Sequence, residues 1–423
     1  MKRVAVIGAG VSGLACADAL GAQTAALFDS SPRPGGHAHT LAVQYGGVKA
    51  DADVAFMVYN RGNYPHFCRL LEQKQIAGRP TDMSFSVVHE EFNLEYNGGN
   101  LRGLFADPRN FFCPRFRRML ADVFRFNRIA RRDLRSGAVP ADETVAQYVV
   151  RRGLSGYFAD AYLLPMGASI WSCSRGDFAA TPARFALSFF DNYGLLQLFG
   201  RPQWMHVPGG SHRYVKAIVN SLAPGTWRGG ATVTSVRAEA GGVFVRAENQ
   251  NEEHFNAAVL AVHAPDALQI LSNPSDVERE VLSSFTYTDN RGALHTDDSI
   301  LPSRRAARAC WNYRVFGSGE DAQAAATYDL SLLQHLPRGK DGAPLLLTLN
   351  AGIAAINPDK ILAHLDYAHP LPDAAAMEAR ARADEINGQR GLFFCGAYWG
   401  DGFHEDGAAS GARAAQAVME FLA

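Results

Sequence analysis

The chain has 423 residues, 47% of them hydrophobic, and its 41 Lys+Arg against 42 Asp+Glu leave a net charge of −1. That length and apolar content allow two folded domains and exclude a disordered chain, and the balanced charge excludes a global affinity for nucleic acid. Six scattered cysteines (Cys16, Cys68, Cys113, Cys173, Cys310, Cys395) form no C-x-x-C pair and read as reduced thiols of a cytoplasmic protein.

The chain opens with Lys2 and Arg3 before the apolar run Val4 to Ile7. Glycines follow at once, so the start is not read as a signal peptide. No apolar run reaches about 18 residues, so no transmembrane helix is expected. Val4 to Ile7 suits a buried parallel strand, Leu14 to Leu20 a helix, and Ala25 to Phe28 a second strand ending on Asp29. Between the first two lies Gly8-x-Gly10-x-x-Gly13. Gly8 permits the tight turn, Gly10 lets backbone approach a pyrophosphate, and Gly13 lets helix and strand pack closely. The first-turn N–H groups at Val11 and Ser12 face the phosphates, and Asp29, followed by Ser30, accepts ribose hydroxyls. No second glycine motif of this kind occurs in a strand–helix context, so a separate NAD(P)H domain is not expected.

Next come Arg33-Pro34-Gly35-Gly36-His37-Ala38-His39-Thr40. An acid, then Arg-x-Gly-Gly and a Thr, resembles the second fingerprint of the amine-oxidase and carotenoid-desaturase class of FAD proteins. That resemblance implies FAD as cofactor, with the glycine pair beside the pyrophosphate and ribityl chain. His37 stands where many members carry Arg. Val207 to Val215, containing Gly209-Gly210, is similar to the first return of the chain to the cofactor domain. The resemblance places backbone near Val233 at the adenine and the run Ala261 to Pro265 close to the cofactor. A second return starts near Gly396. The implied fold class is α/β, a Rossmann-like FAD-binding domain of the amine oxidase or glutathione reductase-2 type, with an inserted α+β substrate domain. The expected division is 1–65, 200–269 and 376–423 for the FAD-binding domain, and 66–199 and 270–375 for the substrate domain.

Across the whole length, GGHAHT, DVAFMVYN, MSFS, YLLPMGASIWS, RPQW, VPGGSHRYV, ALHTDD, WNY, YAHP and GFHEDG together resemble one subfamily. These are the bacterial flavin-containing amine-oxidase-like proteins described as predicted NAD/FAD-binding proteins, associated with cyclopropane-fatty-acid-synthase-like methyltransferases. The resemblance implies an oxidoreductase that desaturates a methyl-branched, mono-unsaturated fatty acyl chain, free or in a phospholipid, toward a furan fatty acid. It also implies a methyltransferase partner; with no NAD(P)H site apparent, reoxidation would fall to oxygen, a quinone or a partner protein. A flavin amine oxidase, or a non-catalytic FAD-containing partner of a lipid methyltransferase, are the alternatives.

The tail carries Phe403-His404-Glu405-Asp406-Gly407. Gly407 to Leu422 reads as a helix with Asp406 as N-cap. The resemblance aims this helix N-terminus at the flavin pyrimidine edge, where it stabilises a reduced, anionic ring by about 0.3–2 kcal/mol. His404 and Glu405 then lie where the ring belongs and are candidates for touching flavin or moving a proton. Three consecutive ionisable residues diverge in direction, so a metal is not expected. His295 is a second proton-transfer candidate. Tyr398, with Trp399, Trp171 and Tyr313, is a candidate wall of a substrate tunnel and a further catalytic candidate.

The run 111–132 is separate from these motifs. Phe116, Met119, Leu120, Val123 and Phe124 recur at helical spacing, while Arg117, Arg118, Arg125, Arg128, Arg131 and Arg132 face one acid, Asp122. Such a basic amphipathic helix suits either a core-facing position with a solvated basic side or peripheral contact with the inner membrane face.

Overall fold

The computed structural model describes residues 2–318, 322–350, 352 and 354–423. Its centre is a five-stranded sheet with every neighbouring pair parallel. The strands lie in the order Trp227–Gly229, Thr24–Asp29 (β2), Val4–Ile7 (β1), Ala257–Leu260 and Leu392–Phe394. β1 and Ala257–Leu260 are buried throughout, as apolar strands covered on both faces must be. Between β1 and β2 runs the helix Val11–Leu20 (α1). A three-stranded antiparallel meander, Val233–Glu239, Gly242–Ala247 and Glu253–Phe255, belongs to a second core that covers one face of the central sheet.

A second large sheet has seven strands in the order Ile361–Pro370, Tyr287–His295, Leu346–Leu349, Gln323–Asp329, Trp311–Phe316, Phe85–His89 and Leu94–Asn97. All pairs are antiparallel except Trp311–Phe316 with Phe85–His89, which come from distant parts of the chain and join parallel. Phe85 pairs with Trp311, Trp311 with Tyr328, and Tyr328 with Leu347. Side chains directly opposite one another project from the same face, so the register lays one apolar row across four strands.

The C-terminal helix, His404–Leu422, lies against α1. A Cβ on Gly411 would stand 2.1 Å from the Ser12 carbonyl oxygen, so the two helices touch backbone to backbone. That contact brings both helix N-termini to one place.

The long helix is Pro114–Ser136. Phe116, Met119 and Val123 are buried and Leu120 is half-buried, so most of its apolar face packs in the core. A free amphipathic helix lying flat on a membrane is thereby excluded for this face; only Phe124 of the five apolar positions is exposed. No helix among the described residues is long and apolar enough to cross a membrane.

Candidate active site

A cavity of about 1530 Å³ opens at the carboxyl ends of β1 and β2, where ligands bind in open α/β sheets. β1 runs straight into Gly8, whose φ of 102° a side chain would strain. A Cβ on Gly13 would stand 1.8 Å from the Gly8 carbonyl oxygen, so Gly13 supplies close packing without lining the cavity. Gly8, Gly10, Val11 and Ser12 do line it. No side chain caps α1 at Gly10, which leaves its first-turn N–H groups for an anionic ligand.

Asp29 ends β2 with both oxygens fixed, Oδ2 accepting from Ala9 N at 2.7 Å and Oδ1 from Ser31 N at 2.8 Å. Asp29 and Ser30 face the cavity. Arg33 instead donates to the carbonyls of Ala38 at 3.1 Å and Gly36 at 3.0 Å, so it clamps the Gly35-Gly36 loop. Gly35 donates to Ala9 O at 2.8 Å and joins that loop to the first glycine turn. Thr40 bonds Asp53 Oδ1 at 2.6 Å and accepts from His212 N at 3.0 Å, tying the loop to the helix His212–Ser221. Arg33, Gly35 and Thr40 are therefore braces behind the cradle, while Gly36 and His37 line it. His37 Nε2 is buried without a hydrogen-bond partner. Val233, Ala261 and Gly396 also line the cavity.

The second helix N-terminus arrives from the tail. The helix starts at His404, and Phe403 is its N-cap, with no capping hydrogen bond from a side chain. The expected cap, Asp406, lies in the first turn, and its Oδ2 accepts from Phe403 N at 2.9 Å. Burial, reinforced by Asp401, pushes the Asp406 carboxyl up to about 6. Phe403 and His404 line the cavity; Asp406 does not.

The catalytic candidates separate. His404 stacks on Phe56 with ring centroids 3.7 Å apart, and its Nε2 meets the Tyr214 hydroxyl at 2.5 Å. Burial pushes it down to about 3, so it is neutral at physiological pH. Glu405 turns away from the cavity and accepts from the backbone N–H groups of His66 and Phe67, each at 3.0 Å. It caps the helix Pro65–Gln73, whose own N-cap residue Tyr64 offers no side-chain acceptor, and a proton-transfer role does not fit that geometry. His295 is fully buried in the large sheet, bonded to Thr348 Oγ1 at 2.8 Å and to Asp297 N at 3.1 Å, and lies outside the cavity lining. Tyr398 lines the cavity with its ring packed on Phe285. Trp171 lines it too, whereas Tyr313 and Trp399 do not.

Two groups escaped the sequence reading. The first is the row Phe85, Trp311, Tyr328 and Leu347, all of which line the cavity and form an apolar floor. The second is an imidazole cluster. His37 and His369 lie 5.2 Å apart, His37 and Tyr367 also 5.2 Å, and His263 stacks on Tyr287 at 4.4 Å. Burial, with His369 next in weight, holds His37 well below its ordinary value. Burial takes His369 down to about 4 and lowers His263 as well. The sequence flagged these residues separately, His37 as an unusual histidine, His263 within the run Ala261 to Pro265 and His369 within YAHP, but nothing in it brought the three together.

Two open helix N-termini, a fixed carboxylate at a strand end and an unpartnered imidazole nitrogen share one cavity. Ligand pockets usually hold about 300–1,000 Å³, so there is room here for a dinucleotide and a substrate together. Residues 11–292 match the family of flavin containing amine oxidoreductases. The chain belongs to this family. As a flavin containing amine oxidoreductase it takes FAD, and the residues lining the cavity fit that group: α1 and Gly36 would hold the pyrophosphate, Asp29 the ribose, and the tail helix would meet the flavin. A comparison with curated protein sequences finds no match. Solved structures match over nearly the whole chain. A CLA-producing fatty acid isomerase from P. acnes is 14% identical with a TM-score of 0.67, covering 100% of this chain and 99% of its own. Cyclohexylamine oxidase from Brevibacterium oxydans is 15% identical with a TM-score of 0.68, covering 100% and 99%. Putrescine oxidase bound to putrescine is 15% identical with a TM-score of 0.67, covering 99% of each. At such identities the likeness is one of fold.

Proposed function

We propose that this FAD-dependent oxidoreductase desaturates a methyl-branched, mono-unsaturated fatty acyl chain to a conjugated methylated diene, on the way to a furan fatty acid. The observation that carries this reading is the apolar floor of Phe85, Trp311, Tyr328 and Leu347, in a cavity walled also by Met119, Leu120 and Val123. A chain without polar groups would be held there by burial alone, at about 25 cal/mol per Å² of apolar surface. That one solved structure of the same fold is a fatty acid isomerase accords with an acyl substrate.

FAD, when bound, supplies acceptance of two electrons as a hydride. The protein's share is to hold the acyl carbon in place, exclude water and receive the proton released with the hydride. His37, His263 and His369 line the cavity as neutral imidazoles that can hydrogen-bond there, and the burial that keeps them neutral also weakens them as proton acceptors. His404, bonded to Tyr214, orients the loop at the tail helix.

A second reading has its own observation. Tyr64, Tyr193, Trp204 and Phe403 line the cavity as a packed aromatic group, with Tyr193 stacked on Trp204 at 6.1 Å. Aromatic faces attract cations, which suits an amine. The test is the visible spectrum of the purified holoprotein without oxygen. Bleaching by methylated mono-unsaturated phospholipid, with a product two mass units lighter, supports desaturation. Bleaching only by amines replaces it with amine oxidation. A flavin that neither reduces points to a non-catalytic partner of a lipid methyltransferase.

A further inference from the structure

The long helix Pro114–Ser136 turns an outer stripe of Arg117, Ala121, Phe124 and Arg128 to solvent. Phe124 is 60% exposed and yet lines the cavity, so the cavity reaches the surface there. Leu198, also exposed, lines the same opening, and Phe199 beside it is 88% exposed. Just before the helix, Phe111 and Phe112 are exposed and stack edge to face at 5.2 Å. Phe111 packs on Phe105 at 5.5 Å, next to cavity-lining Leu104. Single exposed apolar side chains are ordinary; a group of them rimming one opening marks a contact surface.

The charge around this rim is one-sided. Asp122, Asp133 and Asp191 pair with Arg118, Arg132 and Arg131. Arg125 donates to the carbonyls of Arg152 and Gly153, and Arg201 to that of Gln197, so both keep their full charge. Arg117 and Arg128 have no acidic partner among the described residues. Two copies of the chain meeting here would set like charges against each other, whereas an anionic surface complements them.

We propose that this face docks on an anionic bilayer, phenylalanines at headgroup depth and cavity mouth toward the lipid, so that an acyl chain passes into the cavity without crossing water. The proposal rests on the acyl reading above and deepens it. Each methylene drawn into water instead would make the chain about fourfold scarcer.

The test uses the FAD-loaded protein and vesicles of saturated phosphatidylglycerol mixed with phosphatidylcholine, against phosphatidylcholine alone. Cosedimentation is expected with the anionic vesicles, weakening as salt rises. The double variant Arg117→Glu, Arg128→Glu is expected to bind at least about tenfold more weakly. Phe112→Ser with Phe199→Ser is expected to weaken binding at every salt concentration. FAD content and melting temperature are unchanged in both, since all four residues are exposed. Unaltered binding by both variants overturns the proposal, as does absent binding by the parent protein. So does a dimer that Phe199→Ser disperses in sedimentation velocity. Saturated vesicles hold no oxidisable chain, so docking is read apart from chemistry. Bleaching by detergent-dispersed methylated acyl substrate without vesicle binding overturns docking alone. Vesicle binding without bleaching by any acyl substrate overturns the desaturase reading and leaves the surface.

Discussion

Glu405 lies in the only Phe-His-Glu-Asp run of the chain, and position alone nominates it as a catalytic carboxylate. The structure gives it another task. Its two oxygens take three donors: His66 N at 3.0 Å, His66 Nδ1 at 2.8 Å and Phe67 N at 3.0 Å. Phe67 is fully buried, so in Glu405→Ala its N–H loses its acceptor without gaining water, at about 1–3 kcal/mol. The His66 side chain is 41% exposed, so its bonds are partly replaced by water and add about 1 kcal/mol between them. The sum is about 3 kcal/mol. For a 423-residue chain unfolding as one unit, with about 2.1 cal/mol/K per residue, that is a fall of about 3 °C in melting temperature. Glu405→Gln keeps one carbonyl oxygen and should lose about 1 kcal/mol. The assay pairs thermal melting in saturating FAD with single-turnover flavin reduction by whichever substrate bleaches the parent protein. The capping role predicts a lowered melting temperature with reduction within about twofold of the parent. A hundredfold loss of reduction at unchanged melting temperature would refute it, because that is the size of a general-base contribution.

His404 is neutral in the fold, so the reduction rate should show no titration of it from pH 5 to 9. A step near pH 6.5 that vanishes in His404→Gln would overturn this. Its depressed value also means that the unfolded chain binds this proton first, so stability should fall on acidification from pH 6.5 toward 3, less steeply in the variant. For Asp406 the sign reverses. Its folded value is raised to about 6, so the folded state holds the proton more tightly, and stability is lost as pH rises from about 4 through 6. Asp406→Asn should therefore gain on the parent by about 2 kcal/mol between pH 4 and 7 in urea melts; parallel curves would contradict it. Gly411→Ala puts a methyl 2.1 Å from the Ser12 carbonyl oxygen, where backbone must move, and should both lower the melting temperature and release FAD. Full flavin absorbance at the parent's melting temperature would disprove the helix contact.

What was legible in sequence was local. Gly8, Gly10, Gly13 and Asp29 sit within one strand–helix–strand unit, where spacing and geometry determine each other. The apolar floor was not, because Phe85, Trp311, Tyr328 and Leu347 come from four strands, and each alone is an ordinary core residue. The partner of Glu405 lies 339 positions away, beyond any periodicity. The long helix showed its apolar face, but not that the core covers Phe116, Met119 and Val123 and leaves Phe124 at a cavity mouth. The misplaced cap has a different cause. Thr144, Ser174, Ser275 and Asp373 cap their helices with side-chain oxygens as the rules direct. The tail helix begins after Phe403 and α1 after Gly10, neither of which has a side-chain acceptor for the first-turn N–H groups. A capping side chain would occupy the N–H groups that a phosphate or a reduced flavin ring needs. Helix ends without a cap from their own N-cap side chain occur elsewhere too, at Pro65–Gln73, Pro114–Ser136 and Ala183–Asn192, so a missing cap points to the site only together with the cavity that these two ends share.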